Sequence, residues 1–309
     1  MPDRPKQSVL AVQNIKGGAG KTTIAVNLAA LLAERHHQRV LLIDADPQCN
    51  ASLYLLKDER FAARTREDKA RREGNLHDLF HGDVRYFDVV SGKPHGPLRK
   101  VSDYLEPVRK CAGGGSLTLV CGSARMFEVQ EIAAEIVVSR IKKWLPRAGD
   151  AYEHVIIDCP PSISSVSLAA LKAADKILVP MTADHFSLHG LPLLMKALRE
   201  YKKVLDIRAK VAGVVLSMFP PSRHAIQRAK AQGYVQAIGA LCAAQKPAFA
   251  ASPRGSPRMK PTETPSRRTN RCRSPTNPST SRSSPSSTRS RTRWGFLEVR
   301  RDEPRANRR

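Results

Sequence analysis

Eight consecutive residues, Lys16-Gly17-Gly18-Ala19-Gly20-Lys21-Thr22-Thr23, constrain this chain more than any other stretch. Ahead of them runs the apolar Val9-Leu10-Ala11-Val12, and behind them Ile24 to Leu32 repeats its apolar residues at helical spacing. The first run reads as a buried strand and the second as an amphipathic helix, so the glycines occupy a strand-to-helix turn. Glycine lets backbone approach a polyphosphate closely and aim several N–H groups at its oxygens, and a helix N-terminus adds partial positive charge. In such a cradle Lys21 reaches the β- and γ-phosphates of a nucleotide, and the Thr22 hydroxyl holds Mg²⁺.

The loop departs from the usual phosphate-binding pattern, which places a glycine five residues before Gly20; this chain has Ile15 there, with Lys16 beside it. In the form K-G-G-x-G-K-T-T it resembles the deviant Walker A motif of the ParA/MinD family of dimerising ATPases. The resemblance implies that Lys16 through Thr23 bind ATP. It also implies that Lys16 crosses a dimer interface to the phosphates of the partner's nucleotide.

Two more strands end in acids. Arg39-Val40-Leu41-Leu42-Ile43 is a second buried run, closing in Asp44-Ala45-Asp46-Pro47-Gln48. Ligands of open parallel sheets gather at the carboxyl ends of strands, where both aspartates fall. V-L-L-I-D-x-D-P-Q-x-N is similar to the corresponding text of ParA-type partition ATPases. That likeness implies that Asp44 helps order the Mg²⁺ shell and that Asp46 positions the water attacking the γ-phosphate. His154-Val155-Ile156-Ile157-Asp158 is a third such run, and its terminal acid can hold a water of the Mg²⁺ shell. The D-C-P-P-S that begins at Asp158 looks like the family's D-x-P-P.

The remaining text alternates strands and helices. Lys57 to Glu73 is almost wholly charged or alanine and reads as a solvated helix or mobile excursion, the start of an insertion over about 57–115. Asn75 to Gly82 resembles a short family helix, with the lone His77 and His81 read as surface residues rather than ligands. A loop with Gly92, Pro94, Gly96 and Pro97 follows, then a strand over Leu117–Ser123 and one long helix over Met126–Trp144. Lys176–Pro180 is a strand and Ser187–Leu205 a helix with Leu188, Leu191, Leu194, Leu198, Tyr201 and Leu205 on one face. Its end carries Arg199, Lys202 and Lys203, with Arg208 beyond; this is a solvated face suited to the helix dipole or, as the resemblance implies, a non-specific DNA contact. Val211–Met218 is the last clear strand and matches the family's G-V-V-L-x-M. Arg223–Ala244 can form a helix.

The net charge of +24 points to an anionic partner. About 16 Lys/Arg against 4 Asp/Glu fall after Lys246, so roughly +12 belongs to Pro247–Arg309. That stretch of Pro, Ser, Thr and Arg lacks the apolar residues to build a core and reads as disordered. It stands where family members carry another strand, an adenine-contacting loop and a last helix. A lineage-specific basic tail or a reading-frame disruption explains it, the low-complexity text favouring the second. Six cysteines show no C-x-x-C pairing and no histidine at metal-ligand spacing, so they read as reduced thiols. No signal peptide and no run of transmembrane length is present, which points to the cytoplasm.

The expected fold is a doubly wound α/β domain over 1–246 with a mostly parallel sheet, followed by the disordered basic tail 247–309. The resemblance implies an Mg²⁺-ATP-dependent ATPase for plasmid or chromosome partitioning. Such a protein forms an ATP-bound homodimer, binds DNA non-specifically on the nucleoid, and is stimulated by a centromere-binding ParB-type protein. Two alternatives stand beside it. One is a MinD-like or other cargo-positioning relative, although the proline-rich tail cannot make that group's amphipathic lipid-binding helix. The other is a hydrolysis-impaired basic nucleic-acid-binding protein.

Overall fold

In the computed structural model, β1 (Ser8–Val12) delivers the chain into the glycine loop, and α1 (Lys21–Arg35) leads away from it. There follow β2 (Arg39–Asp44), α2 (Asn50–Leu55), α3 (Asp58–Thr65), α4 (Leu76–His81), α5 (Val101–Tyr104), β3 (Leu105–Lys110) and β4 (Ser116–Val120). The second half runs α6 (Ala134–Trp144), β5 (His154–Asp158), α7 (Ser165–Ala173), β6 (Lys176–Thr182), α8 (His185–Leu205), β7 (Lys210–Ser217) and α9 (Ala225–Ala244). The structure describes residues 7–66, 73–81, 100–218 and 224–244, all within a unit spanning Met1–Gly255. The Pro247–Arg309 tail and the loop with Gly92, Pro94, Gly96 and Pro97 lie outside the described residues. No helix among those described is long and apolar enough to cross a membrane.

Seven strands form one sheet in the order β3-β4-β2-β5-β1-β6-β7, parallel throughout except for β3 against β4. The unbroken apolar runs are explained by cover on both faces. Leu41 and Ile43 join the core beneath α6, α7 and α8, while Val40 and Leu42 join the one beneath α1 and α2. In β5, Val155 and Ile157 face the first core and Ile156 the second. Each such side chain, removed fully from water, contributes about 1.5–3 kcal/mol. With β2 on one side of β1 and β6 on the other, the crossovers to successive strands run in opposite directions. The carboxyl edge near β1 is therefore the switch point where open α/β sheets bind ligands.

Four expectations need correction. The charged stretch from Lys57 is not simply solvated: α3 inserts Arg64, which is buried. Arg64 donates to Glu106 Oε2 at 2.7 Å and to the carbonyls of Gly74, Asp103 and Leu105 at 2.8, 2.7 and 3.1 Å. Beyond it lies an unforeseen antiparallel edge strand, β3, whose Pro107 suits an edge because it lacks the ladder N–H. The helix expected over Met126–Trp144 is broken. A 3-10 segment spans Ala124–Glu131, Ile132 and Ala133 leave helical geometry, and α6 starts at Ala134. Met126 and Val129 are both buried at a spacing of three, which a 3-10 turn satisfies as well as an α-helix. Finally, His77 is buried rather than a surface residue.

Gly115 marks where packing tolerates no side chain. A Cβ there would come 2.0 Å from the Ala33 carbonyl oxygen of α1, a backbone atom that cannot step aside. Gly190, inside α8, has nothing within 4 Å of that position. Gly115→Ala is expected to lower the urea unfolding free energy by about 1–3 kcal/mol or more. Gly190→Ala is expected to raise it by about 0.5–1 kcal/mol, by restricting the unfolded chain and favouring helix. Equal effects of the two substitutions would contradict this packing.

Candidate functional site

The loop between β1 and α1 is held open by backbone that only glycine adopts freely, with φ of 70° at Gly18 and 82° at Gly20. Helix α1 begins at Lys21 without a side-chain cap and without an acid in its first turn, so its N-terminal partial charge is uncompensated. The loop is tied to neighbouring strands. Asn14 Nδ2 donates to the Pro180 carbonyl at 2.6 Å, while Asn14 Oδ1 accepts from the Lys16 N–H at 3.3 Å. Ser217, at the end of β7, shares its hydroxyl proton between the carbonyls of Ala19 at 2.7 Å and Met181 at 3.2 Å.

The two strand-ending acids sit side by side, because β2 and β5 pair in a register that sets Asp44 opposite Asp158. β1 pairs with β5 so that Val12, the last residue before the loop, is also level with Asp158. Asp44 is fully buried; its Oδ2 accepts from the Ser52 N–H at 2.8 Å and the Ser52 hydroxyl at 2.7 Å. The Ser52 oxygen in turn accepts from the Gly122 N–H at 2.9 Å. Burial, offset in part by Ser52, pushes the Asp44 carboxyl up to about 6. Asp46 has its Oδ1 fixed by the Gln48 N–H at 2.9 Å.

Asp158 has less support. Both carboxylate oxygens are buried with no hydrogen-bond partner among the described residues. Burial and then the neighbouring Asp44 push its pKa up to about 8, opposed by the Thr22 hydroxyl and by Lys21. Lys21 is buried too, and that burial lowers its pKa against the pull of Asp158 and Asp46. Its Nζ donates to the Lys16 carbonyl at 3.1 Å. A buried carboxylate short of hydrogen bonds, beside a second acid, a hydroxyl and a lysine, fits a hard divalent cation and a polyphosphate.

Lys16 stands apart from this cluster. Its Nζ donates to Asp184 Oδ2 at 2.5 Å and to Thr182 Oγ1 at 2.8 Å, and it lies 5.9 Å from the Phe186 ring centre. Burial opposes ionisation of Asp184, but hydrogen bonds from Lys16, Thr182 and Ser187 outweigh it and hold the carboxyl well below its usual range. Asp184 also caps α8, accepting from the Ser187 N–H at 2.9 Å.

The structure thus gathers Lys21, Thr22, Asp44, Asp46 and Asp158 at one edge, with Gly17, Gly18, Ala19, Gly20 and Thr23 forming or following the loop. Arg199, Lys202 and Lys203 are not brought there. They lie on the last two turns of α8, about 21–27 Å along the helix from its start. Arg208, past the helix, pairs with Asp206 at 3.3 Å. Reading the sequence by strand ends missed Asp184, Thr182, Ser52 and Ser217. For Asp184 a signal existed: an aspartate three residues before Ser187, after a strand and ahead of an apolar-periodic run, is a helix cap at the sheet's carboxyl edge.

A family model described as an AAA domain matches residues 7–211. The chromosome partitioning protein ParA of Caulobacter vibrioides is 34% identical over 211 residues, covering 68% of this chain and 69% of the relative. Among solved structures, a Cyanothece McdA–ATP complex superposes with a TM-score of 0.58 at 20% identity, covering 78% of this chain and 81% of the other. Mycobacterium smegmatis cobyrinic acid a,c-diamide synthase, with an ATP analogue and magnesium, gives 0.55 at 24% identity, covering 74% and 80%. Likeness at that identity establishes the doubly wound fold.

The raised carboxyls have a consequence for stability. Their folded pKa values, about 6 for Asp44 and about 8 for Asp158, exceed the ordinary 3.8. Their contribution to stability is complete below about pH 4 and is lost as pH rises through those two values. Asp158→Asn should therefore be more stable than wild type at pH 8, by about 1 kcal/mol or more, or about 2–4 °C in Tm. The difference should shrink towards pH 4. Melting curves of the ligand-free proteins across that range check it, and a pH-independent difference would contradict it.

Proposed function

Because this chain belongs to the ParA-type family of partitioning ATPases, we propose that it hydrolyses ATP with Mg²⁺ and acts in plasmid or chromosome partitioning. The observation that carries this reading is the pairing of Asp44 with a buried, under-partnered Asp158 at the strand ends, beside Thr22 and Lys21 at the mouth of the phosphate loop. The Thr22 hydroxyl, Asp44 and Asp158 would hold Mg²⁺ or its waters. There the ion would supply positive charge to offset that of the phosphate groups. The N–H groups from Gly17 to Thr23 and the Lys21 ammonium bind the phosphate oxygens. Asp46, its carboxylate fixed by Gln48, orients the attacking water, a task that needs a placed acceptor more than a strong base.

Lys16 supplies the dimeric part of the reading. Held by Asp184 within its own subunit, it exchanges that carboxylate for phosphate oxygens of a second subunit's nucleotide. The ATP-bound dimer then binds DNA without sequence preference, through the basic end of α8 and the arginine-rich tail 247–309 beyond the ATPase domain 1–246. A centromere-binding ParB-type protein stimulates hydrolysis and releases the DNA, and the protein works in the cytoplasm on the nucleoid.

Lys21→Ala should abolish ATP binding. Asp46→Ala should keep binding, slow turnover by at least about 10²-fold and accumulate an ATP-dependent dimer. Lys16→Ala should lose dimerisation and turnover while each subunit still binds nucleotide. Size-exclusion chromatography with ATP, beside phosphate release, reads all three. A monomeric Asp46→Ala that hydrolyses at the wild-type rate would sink the assignment.

The tail, with roughly 12 net positive charges, should also bind DNA without ATP. Truncation after Lys246 should weaken that ATP-free binding and flatten its dependence on salt. Salt titrations of both lengths decide; an unchanged slope would assign the DNA contact to α8 alone.

A further inference from the structure

On the face of the molecule under α6, the short helix α4 and the 3-10 segment Ala124–Glu131 bring together side chains that nucleotide chemistry does not use. His77 and His81 are one helical turn apart on α4, so both rings project to the same side. Their ring centres are 4.2 Å apart. Glu128, from the facing segment, closes the group: its Oε2 lies 3.1 Å from His77 Nε2. One nitrogen from each histidine and one Glu128 oxygen all lie within 4.8 Å of one another. The second histidine is short of a partner. His81 Nε2 is buried with no hydrogen bond among the described residues.

We propose that His77, His81 and Glu128 form a three-ligand site for a first-row divalent transition metal, with Zn²⁺ the best fit and water in the fourth position. Two imidazoles and one carboxylate suit zinc, cobalt or nickel, whereas Mg²⁺ and Ca²⁺ take oxygen ligands. Two histidines at i and i+4 on one helix face, completed by a carboxylate from elsewhere in the fold, form a recurrent zinc arrangement. Tetrahedral ligands about 2.0–2.1 Å from zinc stand about 3.4 Å from one another, so small side-chain rotations close the present spacing.

Burial lowers the pKa of both imidazoles, which leaves their lone pairs available at neutral pH. The competing feature is Arg125, whose Nε and Nη2 donate to Glu128 Oε1 and Oε2 at 2.8 and 2.7 Å. Its side chain is 42% exposed, so the guanidinium can turn to water as a metal takes the carboxylate. Asp78 and Glu131 add negative charge around His81 and offset that cation. Filled, the site would join α4 to the segment that starts two residues after Gly122, whose N–H supports Ser52 and through it Asp44.

The test is titration of the full-length protein, without nucleotide, with Co²⁺ followed by Zn²⁺. The expected result is one Co²⁺ with visible d–d absorption, no near-ultraviolet thiolate band, and displacement by Zn²⁺. His81→Gln should weaken Zn²⁺ binding by at least about tenfold. Arg125→Gln should tighten it by releasing Glu128, an effect that a purely structural trio would not give. The exposed pair His185 and His189, whose Nε2 atoms are 3.1 Å apart, is the competing source of a signal; His185→Gln should leave the spectrum unchanged. Loss of the signal in His185→Gln, an affinity unaltered by His81→Gln, or the lack of any Co²⁺ signal from the wild type would overturn the proposal.

Discussion

Two carboxylates side by side in the interior, Asp44 and Asp158, set the terms for the rest of this molecule. Each would cost several kcal/mol to bury ionised and alone, and the sheet register forces them together. The surroundings meet the cost unevenly. Asp44 is satisfied by Ser52, which Gly122 supports in turn, so two separate segments serve one carboxylate. Asp158 is left with neighbouring charge and only the Thr22 hydroxyl beside it among the described residues. A fold retains so awkward a group where something else completes it, and the phosphate loop lies directly alongside.

Helix α8 gives the site its reach. Its first residues cap onto Asp184 at the loop, its middle buries Leu191, Leu194, Met195 and Leu198, and its end presents Arg199, Lys202 and Lys203 on the other edge of the sheet. In the proposed reading, this one element links the phosphate edge to the basic end that contacts DNA.

Much of this was legible from the chain because unbroken apolar strands and a glycine turn are local signals. Val40–Ile43 and Val155–Ile157 are buried on both faces, so their pattern survives without knowledge of partners, and their terminal acids mark the ligand edge directly. The segment 57–115 was harder to read, since its structure depends on distant partners. Arg64 reads as one more solvated charge until Glu106 and three carbonyls converge on it. β3 carries few apolar residues because it is an edge strand, paired on one side only. His77 and His81 looked superficial because their burial comes from the 3-10 segment nearly fifty residues on. The break before α6 was invisible for another reason: a spacing of three fits two helical periods at once.

The contact between Lys16 and Asp184 makes any new engagement of that lysine an exchange rather than a simple gain. Its ammonium is already neutralised, so the strength of a second contact is measured against a carboxylate and not against water. The exchange also leaves a residue behind. Once Lys16 departs, Asp184 stands as an acid at the rim of the loop without its cation, next to the exposed ring of Phe186. An approaching surface thus meets a newly uncovered negative charge beside an apolar knob, and a lysine or arginine opposite them would make the release of Lys16 self-reinforcing.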